Sequence, residues 1–173
     1  MKKILLSVVA VLGFSTLSGC AQHYANISDI PFVDPNFKRC VILQGKAYSE
    51  QITELKCEGQ HISQIKELSN FRNLKQLDLS RNQLTKLDVS DNPHLEVLSL
   101  EHNLLNKLKV KSNKQLKVLN VSFNRLTDLD VRKNKELTYL NYEGNPLSNV
   151  DIHQNPQLVE PFSKIFISNG PSK

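Results

Sequence analysis

Three cysteines are the residues of this 173-residue chain best suited to covalent chemistry. Cys20 ends an apolar N-terminal run, and Cys40 and Cys57 lie further along the chain. A cysteine sulfur can carry a lipid, and two cysteines can form a disulfide in an oxidising compartment. The spacing of Cys40 and Cys57 leaves a disulfide and two buried thiols as open alternatives, because spacing alone does not establish the geometry of a disulfide.

The residues before Cys20 have the order of a targeting segment. A basic Met-Lys-Lys start is followed by residues 4–17, which are apolar apart from small or hydroxyl-bearing residues. This order is typical of a signal peptide, here residues 1–19. The apolar run is shorter than the roughly 20 residues that a membrane-spanning helix needs.

The Leu-Ser-Gly-Cys stretch that ends at Cys20 resembles a bacterial lipobox. The resemblance implies cleavage before Cys20, a diacylglyceryl group on its sulfur and an acylated amino group. Each buried methylene contributes about 0.8 kcal/mol, so two or three chains would hold the protein on a membrane. It further implies a cell-envelope location, and, with Ala21 next in sequence, the outer membrane if the host is Gram-negative. An ordinary secretory signal followed by an incidental cysteine is the alternative.

Catalytic and metal-binding patterns are absent from the sequence. There is no nucleophile elbow, zinc-protease motif, phosphate loop or dinucleotide fingerprint. We therefore predict no enzyme and no cofactor beyond the covalent lipid on Cys20. Asp88, Asp130 and Asp151 recur at one position of the repeat described below, with Lys109 interrupting them, which favours a solvated face with a salt link through Lys109 over a metal site.

Composition narrows the functional classes further. Without residues 1–19, 154 residues remain, with 20 basic and 17 acidic side chains and a net charge of +3. That length fits one domain with a sizeable core. The charge is too small and too evenly mixed for a nucleic-acid binder, so nucleic acid is excluded as a partner.

A period of 21 residues runs through most of the remaining chain. Each unit has an apolar residue, a second apolar residue two positions on, and an asparagine three positions after that. In the first half of successive units this pattern begins at Leu77, Leu98, Leu119 and Leu140, and in the second half at Leu87, Leu108, Leu129 and Val150. A looser unit of 22 residues precedes them, at residues 52–73. Such a period predicts a solenoid.

This pattern resembles that of leucine-rich repeats, and its nested 21-residue form resembles the bacterial subtype called IRREKO. The alternation of apolar and polar residues predicts short strands with one buried face. We therefore expect a leucine-rich-repeat solenoid with short parallel β-strands on both sides of the coil and little helix apart from an N-terminal cap helix. The asparagines Asn82, Asn103, Asn124 and Asn145 are expected to satisfy buried backbone groups.

The domain organisation follows from these segments. We predict a signal peptide at 1–19, the lipidated Cys20 and a tether at 20–31, an N-terminal cap at 32–51, five repeats at 52–158, and a C-terminal cap and tail at 159–173. In the cap, Asp34-Pro35 predicts the start of a helix with Phe37, Cys40, Val41 and Leu43 on one face. The C-terminal cap includes a predicted closing strand at 161–167.

Leucine-rich repeats usually bind partners on their strand surface, so the resemblance makes the outward residues of the first strands the candidate site. The candidates are Asp78, Val97, Ser99, Val118, Asn120, Phe123, Tyr139 and Asn141. The apolar members would form a stripe rimmed by polar groups, as in an interface core. Either strand surface could bind, and the second-half residues would then be Thr85, Lys86, Asp88, Lys107, Thr127 and Asp130.

Two functions fit these features. The first is a non-enzymatic, membrane-anchored envelope lipoprotein whose repeat surface binds a protein partner. The second is an envelope-maintenance lipoprotein that binds glycan or peptidoglycan through aromatic platforms, for which Phe123 and Tyr139 are the aromatic side chains expected outside the core.

Overall fold

The computed structural model describes residues 23–158. The predicted signal peptide, Cys20 and the predicted C-terminal cap at 159–173 lie outside these residues. Among the residues described, no helix is long and apolar enough to cross a membrane.

Residues 23–158 form one helix and one parallel sheet. The helix is α1 (Pro35–Ile42), and the strands are β1 (Glu54–Lys56), β2 (Gln76–Asp78), β3 (Val97–Ser99), β4 (Val118–Asn120) and β5 (Tyr139–Asn141). The strands pair in chain order, β1-β2-β3-β4-β5, and every pair is parallel. Short 3₁₀ turns occur at Ile27–Asp29, Ser49–Gln51 and Leu68–Asn70. The arrangement confirms the predicted parallel solenoid with little helix.

The core is built by stacking the same repeat position in successive coils. The middle residue of each strand is a buried leucine, and Leu77 is in register with Leu98, which is in register with Leu119. A fully buried leucine contributes about 1.5–3 kcal/mol relative to an exposed one. Because each leucine packs against its counterparts in neighbouring coils, no coil can bury its apolar residues alone.

The prediction of strands on both sides of the coil was wrong for the second side. Within the described residues the second halves of the repeats contain no strand. There the carbonyls of Val89 and Asn92 accept hydrogen bonds from the Asn113 side-chain amide, at 2.8 Å each. The same bonds recur one coil on, from the amide of Asn134 to Val110 and Asn113. Side-chain amides therefore take the place of a backbone ladder on this side.

The first-half asparagines form a column of amides on the sheet side, buried at Asn82, Asn103 and Asn124 and half-buried at Asn145. Asn103 Nδ2 donates to the carbonyls of Leu79, one coil back, and Leu100, in its own coil, at 2.9 and 3.1 Å. Its Oδ1 accepts from the Leu84 backbone N–H at 3.0 Å. Asn82, Asn124 and Asn145 make the equivalent bonds. Each amide thus joins its own coil to the preceding one.

The helix of the N-terminal cap begins where the sequence predicts. The Asp34 side chain accepts from the N–H groups of Asn36 and Phe37, and Pro35 opens the helix. Phe37, Cys40 and Val41 are buried, but Leu43 is 75% exposed, so its predicted place on the buried face was wrong. Residues on one side of a helix are three or four positions apart, so the side that carries Phe37, Cys40 and Val41 continues at residue 44 and not at residue 43.

The cap is fastened to the first coil by covalent and polar contacts. Cys40 of α1 and Cys57, directly after β1, form a disulfide with a Cα–Cα distance of 5.8 Å. The second carboxylate oxygen of Asp34 accepts from the Ser63 N–H and hydroxyl, at 2.8 and 3.0 Å. Glu67, which is buried, accepts from the Val33 N–H at 2.7 Å.

Residues 23–31 belong to the folded cap, so the prediction of a tether reaching residue 31 was wrong. Ile27 and Ile30 are buried in the core. The Tyr24 N–H donates to Asn70 Oδ1 at 2.8 Å, and the Ile27 N–H donates to the Ala47 carbonyl at 2.9 Å. Burial of the two isoleucines offsets part of the entropy lost in ordering this segment, and the hydrogen bonds contribute further.

Replacing Asn103 by alanine should lower the free energy of unfolding by about 1–3 kcal/mol, because buried carbonyls and an N–H lose their partner. Asn106→Ala, at an exposed asparagine of the same coil, is the matched control and should change it by less than about 0.5 kcal/mol. Urea unfolding followed by circular dichroism measures both. Equal losses would contradict a bridging role for the Asn103 amide.

Stability of the cap should fall in acid because of Asp34. Burial raises the pKa of Asp34, but hydrogen bonds from Ser63, Phe37 and Gln64 lower it by more, so the pKa lies below its ordinary value of 3.8. A lowered folded-state pKa stabilises the fold above the unfolded-state pKa, and this stabilisation is lost as the pH falls through the folded-state value.

Asp34→Asn should therefore be less stable than the parent chain at neutral pH and should lose less stability than the parent chain on acidification. Urea midpoints at about pH 7, 4 and 2 measure the difference. Asp29→Asn controls for removing a carboxylate from the exposed surface of the cap. A parent chain and an Asp34→Asn chain with parallel pH profiles would contradict this role.

Candidate functional site

The sheet presents two rows of outward residues, because alternate strand residues face the same side. One row is apolar in β3 to β5 and consists of Val97, Val118 and Tyr139, which are in register. The other is polar and consists of Asp78, Ser99, Asn120 and Asn141, also in register. All seven side chains are partly exposed. Seven of the eight candidate residues therefore lie together on the sheet.

Hydrogen bonds hold the polar row in place. Asp78 accepts from the Ser80 N–H at 2.9 Å, and Asn141 accepts from the Glu143 N–H at 3.1 Å. Asn120 Nδ2 donates to Glu101 Oε2 at 2.7 Å. Ser80 and Ser99 join adjacent coils through their hydroxyl groups, 2.9 Å apart. The row is therefore ordered before any partner arrives.

Val97, Val118 and Tyr139, which we call the apolar row, form a compact strip across three strands. Adjacent strands lie about 4.8 Å apart, so its three side chains span about 10 Å. Glu96 and Lys117, the residues directly before Val97 and Val118, form an ion pair between adjacent coils, with 2.7 Å between Lys117 Nζ and Glu96 Oε2. A hydrogen bond from Lys117 lowers the pKa of the Glu96 carboxyl. The row thus combines partly exposed apolar surface with a charged edge.

Phe123, the eighth candidate residue, lies after β4 and not in it, so its membership of one apolar stripe with the apolar row stays a prediction. It follows β4 and is separated along the chain from Val118 by the polar residues Asn120 and Ser122. Its ring stacks on the His102 ring, with centroids 4.5 Å apart and planes 6° apart. Phe123 is 46% exposed and His102 is also exposed, so the stacked pair is an accessible aromatic surface after β4.

Backbone conformation places this aromatic surface. The residue before each first-half asparagine, or before Gln60 in the first coil, has a positive φ, and these residues are Gly59, Arg81, His102, Phe123 and Gly144. A Cβ at Gly144 would lie 2.6 Å from Phe123 Cδ1. The Phe123 ring is thus packed between His102 and Gly144. Sequence reasoning missed His102 and Gly144, although two glycines directly before the asparagine position were a signal of left-handed backbone.

The second side of the coil carries separate local pairs. Thr85, Lys86, Asp88, Lys107, Thr127 and Asp130 are all exposed. Hydrogen bonds from Arg132 lower the pKa of Asp130 to about 2. Asp88 accepts from the Ser90 N–H at 2.9 Å. Both aspartates therefore accept hydrogen bonds from the residue two positions on. Lys109 forms no ion pair with them among residues 23–158, but after the hydrogen bonds from Ser90 its charge also lowers the pKa of Asp88.

Metal chemistry has no built site in the part of the chain that the structure describes. No group of three or more His, Cys, Asp or Glu side chains there could hold a metal ion. The chemistry available to this surface is therefore recognition through apolar contact, hydrogen bonds and ring stacking.

Comparisons with known proteins fit this geometry. Family profiles described as leucine-rich repeat match residues 73–93 and 112–133. A comparison with curated proteins found no match. Among solved structures, the functional domain of InlJ from Listeria monocytogenes, which includes a cysteine ladder, is 33% identical with a TM-score of 0.75. The alignment covers 80% of this chain and 32% of the InlJ chain.

Two further structures extend the likeness. A leucine-rich-repeat protein from Leptospira interrogans is 29% identical, with a TM-score of 0.54 and coverage of 58% of this chain and 28% of that one. The internalin InlF from Listeria monocytogenes shares the fold at 21% identity, with a TM-score of 0.58 and coverage of 78% and 50%. The chain spans less than a third of the first two structures.

The repeats are leucine-rich repeats, and the coil is a leucine-rich-repeat solenoid.

Gly144→Ala should destabilise the protein more than Gly59→Ala. Both glycines have positive φ, +68° and +64°, so both substitutions cost about 1–2 kcal/mol for the left-handed backbone. A Cβ meets nothing within 4 Å at Gly59 but meets Phe123 at Gly144. The excess, about 1 kcal/mol or more, should shrink when Phe123 is also replaced by alanine, because the ring contacts go and only the contact with the Phe123 Cα, at 3.2 Å, remains. Urea unfolding measures it, and equal effects at the two glycines would contradict the packing.

Proposed function

We propose that this chain is a membrane-anchored envelope lipoprotein whose leucine-rich-repeat surface binds a protein partner without catalysis. The apolar row of Val97, Val118 and Tyr139 is the observation that carries the proposal. Apolar centres surrounded by polar rims are the usual anatomy of protein interfaces. The row is in register on three adjacent strands and lies beside a polar row, which matches that anatomy.

Order in the polar row supports binding by a pre-organised surface. Asn120 is held by Glu101 and by the Ser122 hydroxyl, which donates to Asn120 Oδ1 at 2.8 Å. Immobilising a flexible side chain costs about 0.5–1.5 kcal/mol on binding, and an ordered row avoids much of that cost. The likeness to InlJ and to internalin structures supports the same reading, since leucine-rich repeats generally serve as scaffolds for protein interaction.

The anchor in this proposal is the lipid on Cys20. The basic start, the apolar run and the Leu-Ser-Gly-Cys stretch support it. Confinement to one membrane raises the effective concentration of two partners, so modest affinity suffices. Ala21, the residue after Cys20, supports an outer-membrane location if the host is Gram-negative.

The second candidate function, glycan or peptidoglycan binding, is favoured by one observation. The His102–Phe123 pair is a flat, exposed stack of two rings. The exposed parts of these two rings give a sugar an apolar surface to contact, with Arg81 at the equivalent position of the preceding coil as a hydrogen-bond donor. This platform is distinct from the apolar row, so the two functions can be tested by separate substitutions.

Photo-cross-linking in cells tests the proposal. A photoreactive amino acid at position 120 samples the sheet, and one at position 130 samples the second side. We expect a protein adduct from position 120 that disappears when Val118 and Tyr139 are both replaced by aspartate. Thr127→Asp, an exposed charge substitution on the second side, is the control and should leave the adduct unchanged.

Adducts from position 130 alone would overturn the assignment of the binding face. Glycan adducts that are lost on Phe123→Ala and persist in the double aspartate variant would favour the second function. Circular dichroism of each variant establishes that the domain remains folded. Lipidation is measured separately, by incorporation of a labelled fatty acid, which Cys20→Ala should abolish.

A further inference from the structure

The exposed large apolar residues of the described chain are concentrated in the N-terminal cap. Val33 is 47% exposed, Ile42 51%, Leu43 75% and Tyr48 47%. Over the coils, which are more than three times as long as this cap, Phe123 is the corresponding residue within the described range. Single exposed apolar residues need no explanation, but four within sixteen positions form an uneven distribution.

The cap needs none of these four side chains to close the solenoid. Its inner face is supplied by Phe37, Cys40 and Val41, all buried, and by the disulfide to Cys57. End caps of repeat proteins ordinarily have a polar outer face, because that face meets water. Four exposed apolar side chains on the outer side of the cap, although Lys38 and Arg39 are exposed there too, are therefore a departure that calls for a covering surface.

Three of the four residues lie close to the point where the chain enters the fold. We call Ile42, Leu43 and Tyr48 the apolar edge. Ile42 ends α1, and a turn at Gly45 leads to Tyr48, which forms an antiparallel bridge with Asn26. Residues paired in this way have Cα atoms about 4.5–5.5 Å apart.

The chain is fixed two residues before that bridge. The Tyr24 N–H donates to Asn70 Oδ1, and the Tyr24 carbonyl accepts from the Ser49 hydroxyl, at 2.8 and 2.9 Å. Cys20 is four residues earlier, and an extended chain spans at most about 3.5 Å per residue. Cys20 therefore lies within about 14 Å of Tyr24, whatever path the intervening residues take.

That reach identifies what covers the apolar edge. A lipid on Cys20 has its acyl chains in the membrane, so Tyr24 is held within about 14 Å of the headgroups. Amphipathic segments enter the headgroup and acyl boundary by about 5–10 Å, and tyrosine favours that boundary because it has an apolar ring and a polar tip. Lys46, also exposed, adds a positive charge between Leu43 and Tyr48.

We propose that the apolar edge docks on the phospholipid surface next to the lipid anchor, which fixes the orientation of the domain. This inference rests on the anchoring at Cys20 in the proposed function. The domain would then be seated on the membrane by its cap, with β1 nearest the cap and β5 farthest from it.

Fluorescence quenching tests the docking, because the chain contains no tryptophan. Tyr48→Trp places one probe on the apolar edge. Phe123→Trp is the matched control, since the parent residues are 47% and 46% exposed. The lipidated protein, purified from cell membranes, is reconstituted into vesicles of phosphatidylethanolamine and phosphatidylglycerol with brominated acyl chains. We expect about two-fold quenching at position 48 and none at position 123.

Leu43→Glu should remove most of the quenching at position 48, and Thr127→Glu should not. A second preparation begins at residue 21 with a histidine tag in front, which binds nickel-chelating lipids in the same vesicles. Quenching in this preparation tests the edge even if Cys20 carries no lipid, so failure of the anchor and failure of the docking are distinguishable.

Equal quenching at positions 48 and 123, or none at position 48 in either preparation, would overturn the proposal. A blue-shifted emission at position 48 that depends on protein concentration without vesicles would assign the edge to a second copy of the chain instead. A blue shift that is independent of concentration and is lost on removing residues 159–173 would assign it to that segment.

Discussion

The bridging asparagine amide is the interaction on which the solenoid depends. Apolar contacts between leucines are non-directional and do not fix the position of one coil relative to the next. A buried amide that bonds to carbonyls of two coils fixes both their spacing and their register. Asn124 Nδ2 donates to Leu100 and Val121, one in each coil, at 2.8 and 3.1 Å. The two asparagine columns are not equal: in the second-half column, the Oδ1 atoms of Asn92, Asn113, Asn134 and Asn155 are buried without a hydrogen-bond partner. The first-half column uses both ends of the amide, so it holds the sheet side more firmly.

A firmly held sheet gives this surface its capacity for recognition. Three-residue strands are too short to be stable alone, yet the ladder and the amide column place Val97, Val118 and Tyr139 in register. Hydrogen bonds along the polar row then orient Asp78, Asn120 and Asn141. The second side lacks the ladder and displays exposed residues whose pairs stay within one coil. Rigidity is therefore greatest where the candidate site lies, which reduces the entropy lost on binding.

The repeat made the fold and most of the candidate rows predictable, because position in a period determines which side chains face inward. Position in the period did not predict the structure where local side-chain contacts replaced the expected backbone pairing. Leu87-x-Val89 has the pattern of a strand, but the Asn113 side chain satisfies the Val89 carbonyl that a strand would have paired. Residues 23–31 were predicted to belong to a tether because they carry no repeat pattern, but Ile27 and Ile30 are buried in the core. The His102–Phe123 stack depends on positive φ angles and on the missing Cβ of Gly144, which hydrophobic patterning does not encode.

The first coil explains how a periodic structure can end without exposing its core. It departs from the repeat, with Gln60 at the asparagine position and one residue more than the coils that follow. At this coil the cap supplies partners that a preceding coil would have supplied: Asp34 accepts from Ser63 and Gln64, and the disulfide joins Cys40 to Cys57. Because the polar groups and inner face of the cap are committed to coil one, its apolar residues Ile42, Leu43 and Tyr48 face outward, beside the residues that lead back to Cys20. Sealing the solenoid and seating it on a membrane are thus compatible tasks for opposite faces of one short segment.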